Sequence, residues 1–493
     1  MKLAELISGL AIEEPRHGAE LEVTDLAYDS RAAGPGTLFF CVTGLTRDGH
    51  EFAPEAVERG AAALVVERPL ELDVPQVRTA DARAAMAPLA ARFFGDPTEQ
   101  LELVGITGTN GKTTTAFLLH EILEADGRQC GLLGTVKRIV GGVEEDVERT
   151  TPEAIDLQRT FRRMLDAGDR ACAMEVSSHA LSLHRTEHVH FDCATFTNLT
   201  QDHLDFHADM EDYFQAKRLL FAAGPGRAIV NLDDTYGRRL ASEFECLTYS
   251  VEGAAEAGLR ASAISFDAGG ARFTVRGLDG EVEVTTRLPG HFNVANALAA
   301  LAASQALGVG AKVAIEALAG ADRVPGRFEP VEAGQPFTVL VDYAHTPDSL
   351  ENVLRAARRL TGGKLISVFG CGGDRDREKR PRMGRIGAEL SDLAVVTSDN
   401  PRSEDPEAII AEVVAGSGPD TEGVRVEPDR RVAISVALAA AEPGDVVVIA
   451  GKGHEQGQEF KDGRVIPFDD REVAREELET LHRSGTPQPR TPG

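Results

Sequence analysis

The chain is short of positive charge. Over 493 residues, Lys and Arg number 52 against 79 Asp and Glu, a net charge of −27. That balance argues against general attraction to DNA, RNA or anionic lipid, so any anionic substrate must be held by local positive groups. Lysine is scarcer still, nine residues beside 43 arginines. In such a chain a lysine is a candidate for a position that a guanidinium cannot fill. Lys112, Lys217 and Lys452 stand in motif-like settings. The six cysteines (41, 130, 172, 193, 246, 371) form no C-x-x-C pair. They read as reduced, buried thiols of a cytoplasmic protein rather than a disulfide or zinc framework. No long apolar run occurs, and the opening "MKLAELISGLAIEE" spaces Leu3, Leu6, Ile7 and Leu10 as one helix face. Neither export nor membrane insertion is indicated. Internal repeats and long low-complexity tracts are also missing, and the tail "SGTPQPRTPG" looks disordered.

What is present is strand and helix in alternation. The length suggests about three domains. Short apolar runs "TLFFCV" and "AAALVVE" occupy the first hundred residues, which close at Gly95 and Pro97. A second boundary falls near "VPGRFEPV", giving domains at 1–97, 98–325 and 326–493. In the last of these, "VLVDYAH", "LISVFGCGGDRD", "LAVVTSDNPR" and "VVVIAGKGHE" are apolar runs that each end in a polar or glycine-bearing loop. In a parallel sheet, ligands gather at the carboxyl ends of strands, so these four loops should meet at one site.

The segment "GITGTNGKTTT", 105–115, follows the strand-like "LELVGIT" and opens a helix-like run. It departs from the G-x-x-x-x-G-K-[ST] spacing because Ile106 stands where glycine would be required. Gly108 and Gly111 still free backbone N–H groups to face phosphate, Lys112 supplies a point charge and Thr113 a hydroxyl for Mg²⁺. Six of thirteen histidines lie between 179 and 207. His203 is the metal-ligand candidate among them, past a strand end and beside Asp202 and Asp205. Glu175, closing "ACAMEV", reads equally as a metal ligand or a helix N-cap. Lys217, in "MEDYFQAKRLLF", reads from composition alone as a solvated helix-face charge.

These residues resemble the Mur ligase superfamily of ATP-dependent amide-forming enzymes, whose loop is T-G-[ST]-N-G-K-[ST]. The likeness runs from "DSRAAGPGTLFFCVTG" through "MEVSSHAL", "FTNLTQDHLDFH", "LPGHFNVANALAA" and "DNPR" to "GKGHE". It implies an α/β fold of three domains: a smaller N-terminal UDP-sugar-binding domain, a central P-loop ATPase-type sheet, and a C-terminal Rossmann-like domain for the incoming amino acid. "DNPR" is similar to the sequence of members that add meso-2,6-diaminopimelate to UDP-N-acetylmuramoyl-L-Ala-D-Glu through an acyl phosphate. L-lysine as the added amino acid, and the sister ligase that adds D-Ala-D-Ala, are the alternatives.

The resemblance further implies roles by position. Gly108, Thr109, Asn110, Gly111, Lys112, Thr113 and Thr114 would bind ATP, with His291, Asn293, Asn296, Arg327 and Asp342. Ser30, Leu45, Thr46 and Arg47 would contact the uridine nucleotide, and Thr150, Thr151, Ser177 and Arg185 the muramoyl peptide. Leu183 stands where many relatives carry glutamine. Arg375, Asp399, Asn400, Pro401, Arg402, Gly451 and Glu455 would form the amino-acid pocket. Thr113, Glu175, His203 and Lys217, the last as a CO₂-derived carbamate, would hold Mg²⁺, and Lys112, Glu175, His203 and Lys217 would be catalytic. A cytoplasmic monomer is expected. A regulatory GTPase is disfavoured because no N-K-x-D guanine-reading sequence occurs.

Overall fold

The computed structural model describes residues 1–485 apart from 11, 14, 16, 45, 46, 148, 279 and 419–421. Leu45, Thr46 and the end of the tail therefore lie outside the described residues. The fold is α/β, with sheets in three stretches of sequence as expected. The chain divides into two compact units, 1–107 with 127–195 and 215–228, and 108–126 with 196–214 and 229–493.

The first unit opens with a four-stranded parallel sheet, Asp25–Ala27, Thr37–Phe40, Ala63–Val66 and Gln76–Arg78, in chain order. "TLFF" and "ALVV" are buried at every position. Both sheet faces are therefore covered, which is why these runs are continuously apolar instead of alternating. Leu38, Phe40, Ala63 and Val65 pack in the core that includes helix Ala82–Phe93, while Phe39 and Leu64 pack with Ala53 and Ala56 of helix Ala53–Glu58. The central strands of this unit follow the same rule. Ala171–Glu175 lies parallel between Glu102–Thr107 and Cys130–Leu133. Helix Ala154–Ala167 buries Ile155, Leu157, Phe161 and Met164, a helical spacing of apolar residues.

In the second unit, helix Lys112–Ala125 packs against His291–Ala306. The latter is a core helix along most of its length, and Gly290 at its start gives it no side-chain cap. Sequence reading missed an antiparallel run, Leu259–Asp267, Gly270–Leu278 and Gly280–Thr286, beside the parallel pair Arg227–Asn231 and Leu247–Ser250. The C-terminal sheet places Thr338–Asp342, Val446–Ala450, Leu365–Phe369, Leu393–Val396 and Val424–Val426 side by side and parallel. The loops after the first four leave the same sheet edge, as expected. All six cysteines are free; five are buried and Cys246 is half-buried.

Candidate active site

The phosphate loop is held by packing that tolerates only glycine at two points. Gly108 has φ +149° and Gly111 φ +86°, backbone that side chains resist. A Cβ on Gly108 would lie 1.9 Å from Thr197 Oγ1, and one on Gly111 2.3 Å from Asn296 Oδ1. Between them, Thr109 N–H donates to Asn198 O (2.8 Å), and Asn110 N–H to Asn198 Oδ1 (2.9 Å). Asn110 Nδ2 reaches Asp348 Oδ2 at 2.8 Å. Thr109 Oγ1 lies 3.2 Å from the buried Tyr213 hydroxyl and accepts from Thr200 N–H (3.0 Å). Lys112 folds over its own loop, donating to the carbonyls of Gly108 (2.9 Å) and Thr109 (2.8 Å). Thr113 Oγ1 accepts from Arg327 Nη2 at 3.1 Å, and Thr114 is buried.

Beside this loop opens a cavity of about 820 Å³, whose wall includes Asn198, Thr200, Asp234, His291, Phe292 and Asp348. Of the expected adenine-side residues, His291 faces this cavity. Asn293 and Asn296 instead brace the loop from behind: Asn293 Nδ2 donates to Pro289 O (2.8 Å) and Asn296 Nδ2 to Asn293 Oδ1 (3.1 Å). Arg327 stacks over the Tyr343 ring, 4.4 Å from its centroid. Asp342 accepts from the N–H groups of Phe328 (2.6 Å) and Ala344 (2.8 Å). Burial nevertheless pushes its carboxyl up to about 6, against the pull of Arg327 and those two donors.

His203 adopts φ +56°, with Nε2 3.4 Å from Asp202. Asp202 is buried, and burial alone would raise its pKa; His203, His345 and Lys379 outweigh that and hold the carboxyl below its usual range. Asp205 is exposed. Among the described residues, no group of three or more His, Cys, Asp and Glu side chains is arranged to hold a metal. The expected cation site of His203 with Asp202 and Asp205 is therefore not formed by these side chains alone.

In the first unit, Glu175 ends its strand almost fully buried, accepting from Thr135 N–H (2.7 Å) and Thr135 Oγ1 (3.0 Å). Thr135 Oγ1 also lies 3.0 Å from Thr150 Oγ1. Thr151 Oγ1 donates to Glu175 O (2.9 Å) and accepts from Ser177 N–H (3.1 Å). Ser177, rather than Glu175, caps the following helix, its Oγ accepting from Ala180 N–H at 3.2 Å. Arg185 donates to Thr151 O at 3.1 Å. The four residues expected at the muramoyl peptide are thus gathered around the end of one strand, and Leu183 sits half-buried after that helix. Lys217 is 1% exposed, so its reading as a solvated helix charge is wrong. Its helix runs Met210–Ala222.

A second cavity, about 560 Å³, includes Ser30, Arg31, Arg47, Glu55, Arg83 and Arg149 in its wall. Ser30 Oγ donates to Glu55 Oε2 at 2.9 Å. Ser30 and Arg47 are where the uridine nucleotide was expected. Arg83, Arg149 and Glu153 were not anticipated; Arg149 and Glu153 are four residues apart, and Arg83 reaches them because helices Ala82–Phe93 and Ala154–Ala167 pack together.

At the C-terminal sheet edge, Lys452 is the buried centre. Its ammonium donates to Asn400 Oδ1 (2.7 Å), Gly457 O (2.8 Å) and Glu455 Oε2 (3.3 Å), and lies 3.3 Å from Asp399. Burial opposes ionisation of Asp399, but Lys452 and Arg430 win and hold its carboxyl low. Burial and the Asp399 charge together raise Glu455. Arg402, at φ +51°, pairs with Glu459 Oε2 (2.9 Å) and donates to Gly373 O (2.8 Å). Arg375 donates to Asp374 O at 2.9 Å. Asn400, Pro401, Arg402, Gly451 and Glu455 thus share one loop cluster with Asp399. Sequence reading did not assign Arg430, which underlies this cluster: it donates to Asp470 (2.7 Å) and to Ala450 O (3.0 Å), with both side chains of the pair fully buried.

This geometry has known counterparts. Residues 22–94 match the model of the Mur ligase family catalytic domain, 106–304 the Mur ligase middle domain, and 326–453 the Mur ligase glutamate ligase domain. A UDP-N-acetylmuramoyl-L-alanyl-D-glutamate–2,6-diaminopimelate ligase from Geobacillus kaustophilus (strain HTA426) is 47% identical over 96% of this chain and 99% of its own. One of the same name from Streptomyces coelicolor (strain ATCC BAA-471 / A3(2) / M145) is 47% identical over 97% of this chain and 96% of its own. A solved structure of a ligase with that name superposes with TM-score 0.69 at 30% identity, covering 98% of this chain and 99% of that one. A MurF ligase from Thermotoga maritima in complex with ADP shares the fold, with TM-score 0.64 at 20% identity over 94% of this chain and 97% of its own. With the phosphate loop, the strand-end carboxylate and the "DNPR" cluster all in place, these likenesses along nearly the whole chain show that it belongs to the Mur ligase family.

Proposed function

We propose that the chain is an ATP-dependent ligase that adds meso-2,6-diaminopimelate to UDP-N-acetylmuramoyl-L-Ala-D-Glu in peptidoglycan synthesis. The reading is carried by 47% identity over 96% of the chain to relatives of that name. The ranges 1–97, 98–325 and 326–493 serve as modules for the UDP-sugar, ATP and the amino acid. The enzyme works as a cytoplasmic monomer; no helix among the described residues is long and apolar enough to cross a membrane.

Amide formation from a carboxylate needs a leaving group on the acyl carbon. The D-glutamyl carboxylate attacks the γ-phosphorus of ATP, giving an acyl phosphate and ADP. The amine of diaminopimelate then adds to the acyl carbon, and the tetrahedral intermediate expels phosphate. Two anions meet in the first step. Lys112, by exchanging the carbonyls of Gly108 and Thr109 for phosphate oxygens, neutralises charge that develops there. His291 contacts the nucleotide within the larger cavity, and Arg327 and Asp342 order the segment beside Thr113.

Thr113 and Glu175 offer oxygen donors of the kind Mg²⁺ takes, and such an ion is ordinarily completed by substrate phosphates and water, so a cluster of protein carboxylates is not required. Thr113 and His203 in the second unit, and Glu175 in the first, are the residues that would donate to Mg²⁺, which would supply charge neutralisation to the transferring phosphoryl group. Lys217, 1% exposed on the helix Met210–Ala222, would be the carbamylated lysine, and the product would be an oxygen ligand. Ser177, Thr150, Thr151 and Arg185 hold the muramoyl peptide. Arg375, Asp399, Asn400, Pro401, Arg402, Gly451 and Glu455 hold the incoming amino acid.

The test is phosphate release from ATP with UDP-N-acetylmuramoyl-L-Ala-D-Glu and Mg²⁺, offering diaminopimelate, L-lysine and D-Ala-D-Ala in turn. Turnover with diaminopimelate alone is expected. Faster turnover with either competitor would sink the assignment of the added group.

A further inference from the structure

The 560 Å³ cavity carries a charge arrangement centred on Glu153, Arg83 and Arg149, to which the family resemblance gave no role. Glu153 is 4% exposed, and three guanidiniums converge on its carboxylate. Arg83 Nη1 donates to Oε2 at 2.8 Å, Arg149 Nη1 to Oε1 at 2.9 Å, and Arg185 Nη2 lies 2.9 Å from Oε1. Three positive charges on one negative leave a surplus of two. Arg185 does not line the cavity; Arg83 and Arg149 do, sharing the one charge of Glu153 and leaving one positive charge over, and Arg47 adds another, whereas Arg31 is already paired with Asp29 at 2.6 Å and Glu55 with Arg59 at 3.0 Å. Arg185 Nε is buried with no hydrogen-bond partner among the described residues. Burial lowers the Arg185 pKa against the opposing pull of Glu153, and the like charges of Arg149 and Arg83 add to the lowering. A cluster that holds like charges together at such a cost has the character of an anion receptor, since an arriving oxyanion relieves the repulsion.

We infer that Glu153 is a positioning residue that gathers Arg83, Arg149 and Arg185 into a cradle for an oxyanion of the nucleotide-sugar substrate. The inference rests on the substrate proposed above. Two groups of that substrate share this chemistry, the diphosphate and the carboxylates of its peptide. The carboxylate of Glu153 fixes the direction of each fork, which a water-filled pocket lined with free arginines would not do. Glu153 touches no reacting atom.

The experiment is calorimetric titration of the full chain and its Glu153→Gln, Glu153→Asp, Arg83→Gln and Arg149→Gln variants with UDP, uridine, UDP-N-acetylmuramoyl-L-Ala and UDP-N-acetylmuramoyl-L-Ala-D-Glu. ATP titration serves as a control for folding. Glu153→Gln and each arginine variant should weaken the intact substrate by at least about tenfold, the worth of one charge-assisted hydrogen bond. Glu153→Asp should recover part of the loss. ATP affinity should stay within about twofold. A loss shared by UDP assigns the diphosphate; a loss confined to the D-Glu-bearing ligand assigns the peptide carboxylate. If Glu153→Gln fails to fold, Arg83→Gln and Arg149→Gln carry the test. Unchanged or tighter binding in the variants, with normal binding by the parent chain, overturns the cradle and leaves the proposed function standing. A parent chain that binds none of the four ligands overturns both.

Discussion

Glu153 and Lys452 are opposite solutions to burying charge. Around Glu153 one carboxylate serves three guanidiniums. Around Lys452 one ammonium serves Asn400, Gly457, Glu455 and Asp399. The first arrangement leaves surplus positive charge for an anion; the second leaves Asp399 and Glu455 sharing one ammonium while Arg430 is committed to Asp470, suited to a ligand that brings its own ammonium group. The difference also bears on why lysine persists in an arginine-rich chain. Three of the contacts of Lys452 use the three N–H bonds of a compact ammonium in a fully buried place, where a planar fork would have neither the room nor the geometry. Arginine prevails where one carboxylate must be shared from several sides.

Removing that ammonium should have the largest effect. Lys452→Met leaves the buried Asp399 and the half-buried Glu455 without the ammonium they share, and a loss of about 3–5 kcal/mol in urea unfolding is expected. A loss under about 1 kcal/mol would mean that the acids there are protonated and the comparison is misdrawn.

Lys217→Arg asks whether another buried lysine is replaceable. An arginine cannot carry the carbamate, so the rate of phosphate release should fall by about 10²–10³, the usual worth of one electrostatic contribution to the transition state. Full activity in that variant removes the carbamate from the mechanism.

Asp342 tests whether a buried acid with weaker compensation behaves differently from Glu153. Its folded pKa, about 6, lies above the ordinary 3.8. The folded state therefore binds the extra proton between those values. The associated stability is present below about pH 4 and lost as pH rises through about 6, on the order of 2–3 kcal/mol in all. Urea unfolding of Asp342→Asn should show that slope removed; an unaltered slope assigns it elsewhere.

Arg402→Ala is expected to have the smallest effect. Its fork is already engaged by Glu459 and Gly373, so it offers only its remaining donors to the distal carboxylate of diaminopimelate. The preference over L-lysine, measured as the ratio of kcat/KM, should shrink by about tenfold. An unchanged ratio places the discrimination in Arg375 or Asn400.

How much was legible beforehand follows from how local each signal is. The phosphate loop is written in consecutive residues, and Gly108 and Gly111 take positive-φ places that only glycine fills easily. The four C-terminal loops were legible because parallel strands bring their carboxyl ends to one edge. Glu153 was not: Arg149 is four residues away, but Arg83 and Arg185 reach it only through tertiary packing. Lys217 was read from composition alone as a solvated charge, and composition cannot say what covers a helix face. Asn293 and Asn296 sit in a recognisable motif, yet whether they face the cavity or the back of the loop depends on the clearance at Gly111, which no spacing encodes.

The Arg430–Asp470 pair gives the last helix, Asp470–Gly485, a part in an apparatus it never faces. A protease cut ahead of Asp470 would spare every strand of the C-terminal sheet but strand a guanidinium in the interior, beneath the carbonyls of Ser398 and Ala450 that precede Asp399 and Gly451. Nicking there should therefore release more than a terminal peptide: the amino-acid pocket would loosen with it, and resistance to such a cut becomes a direct gauge of whether that pocket is assembled.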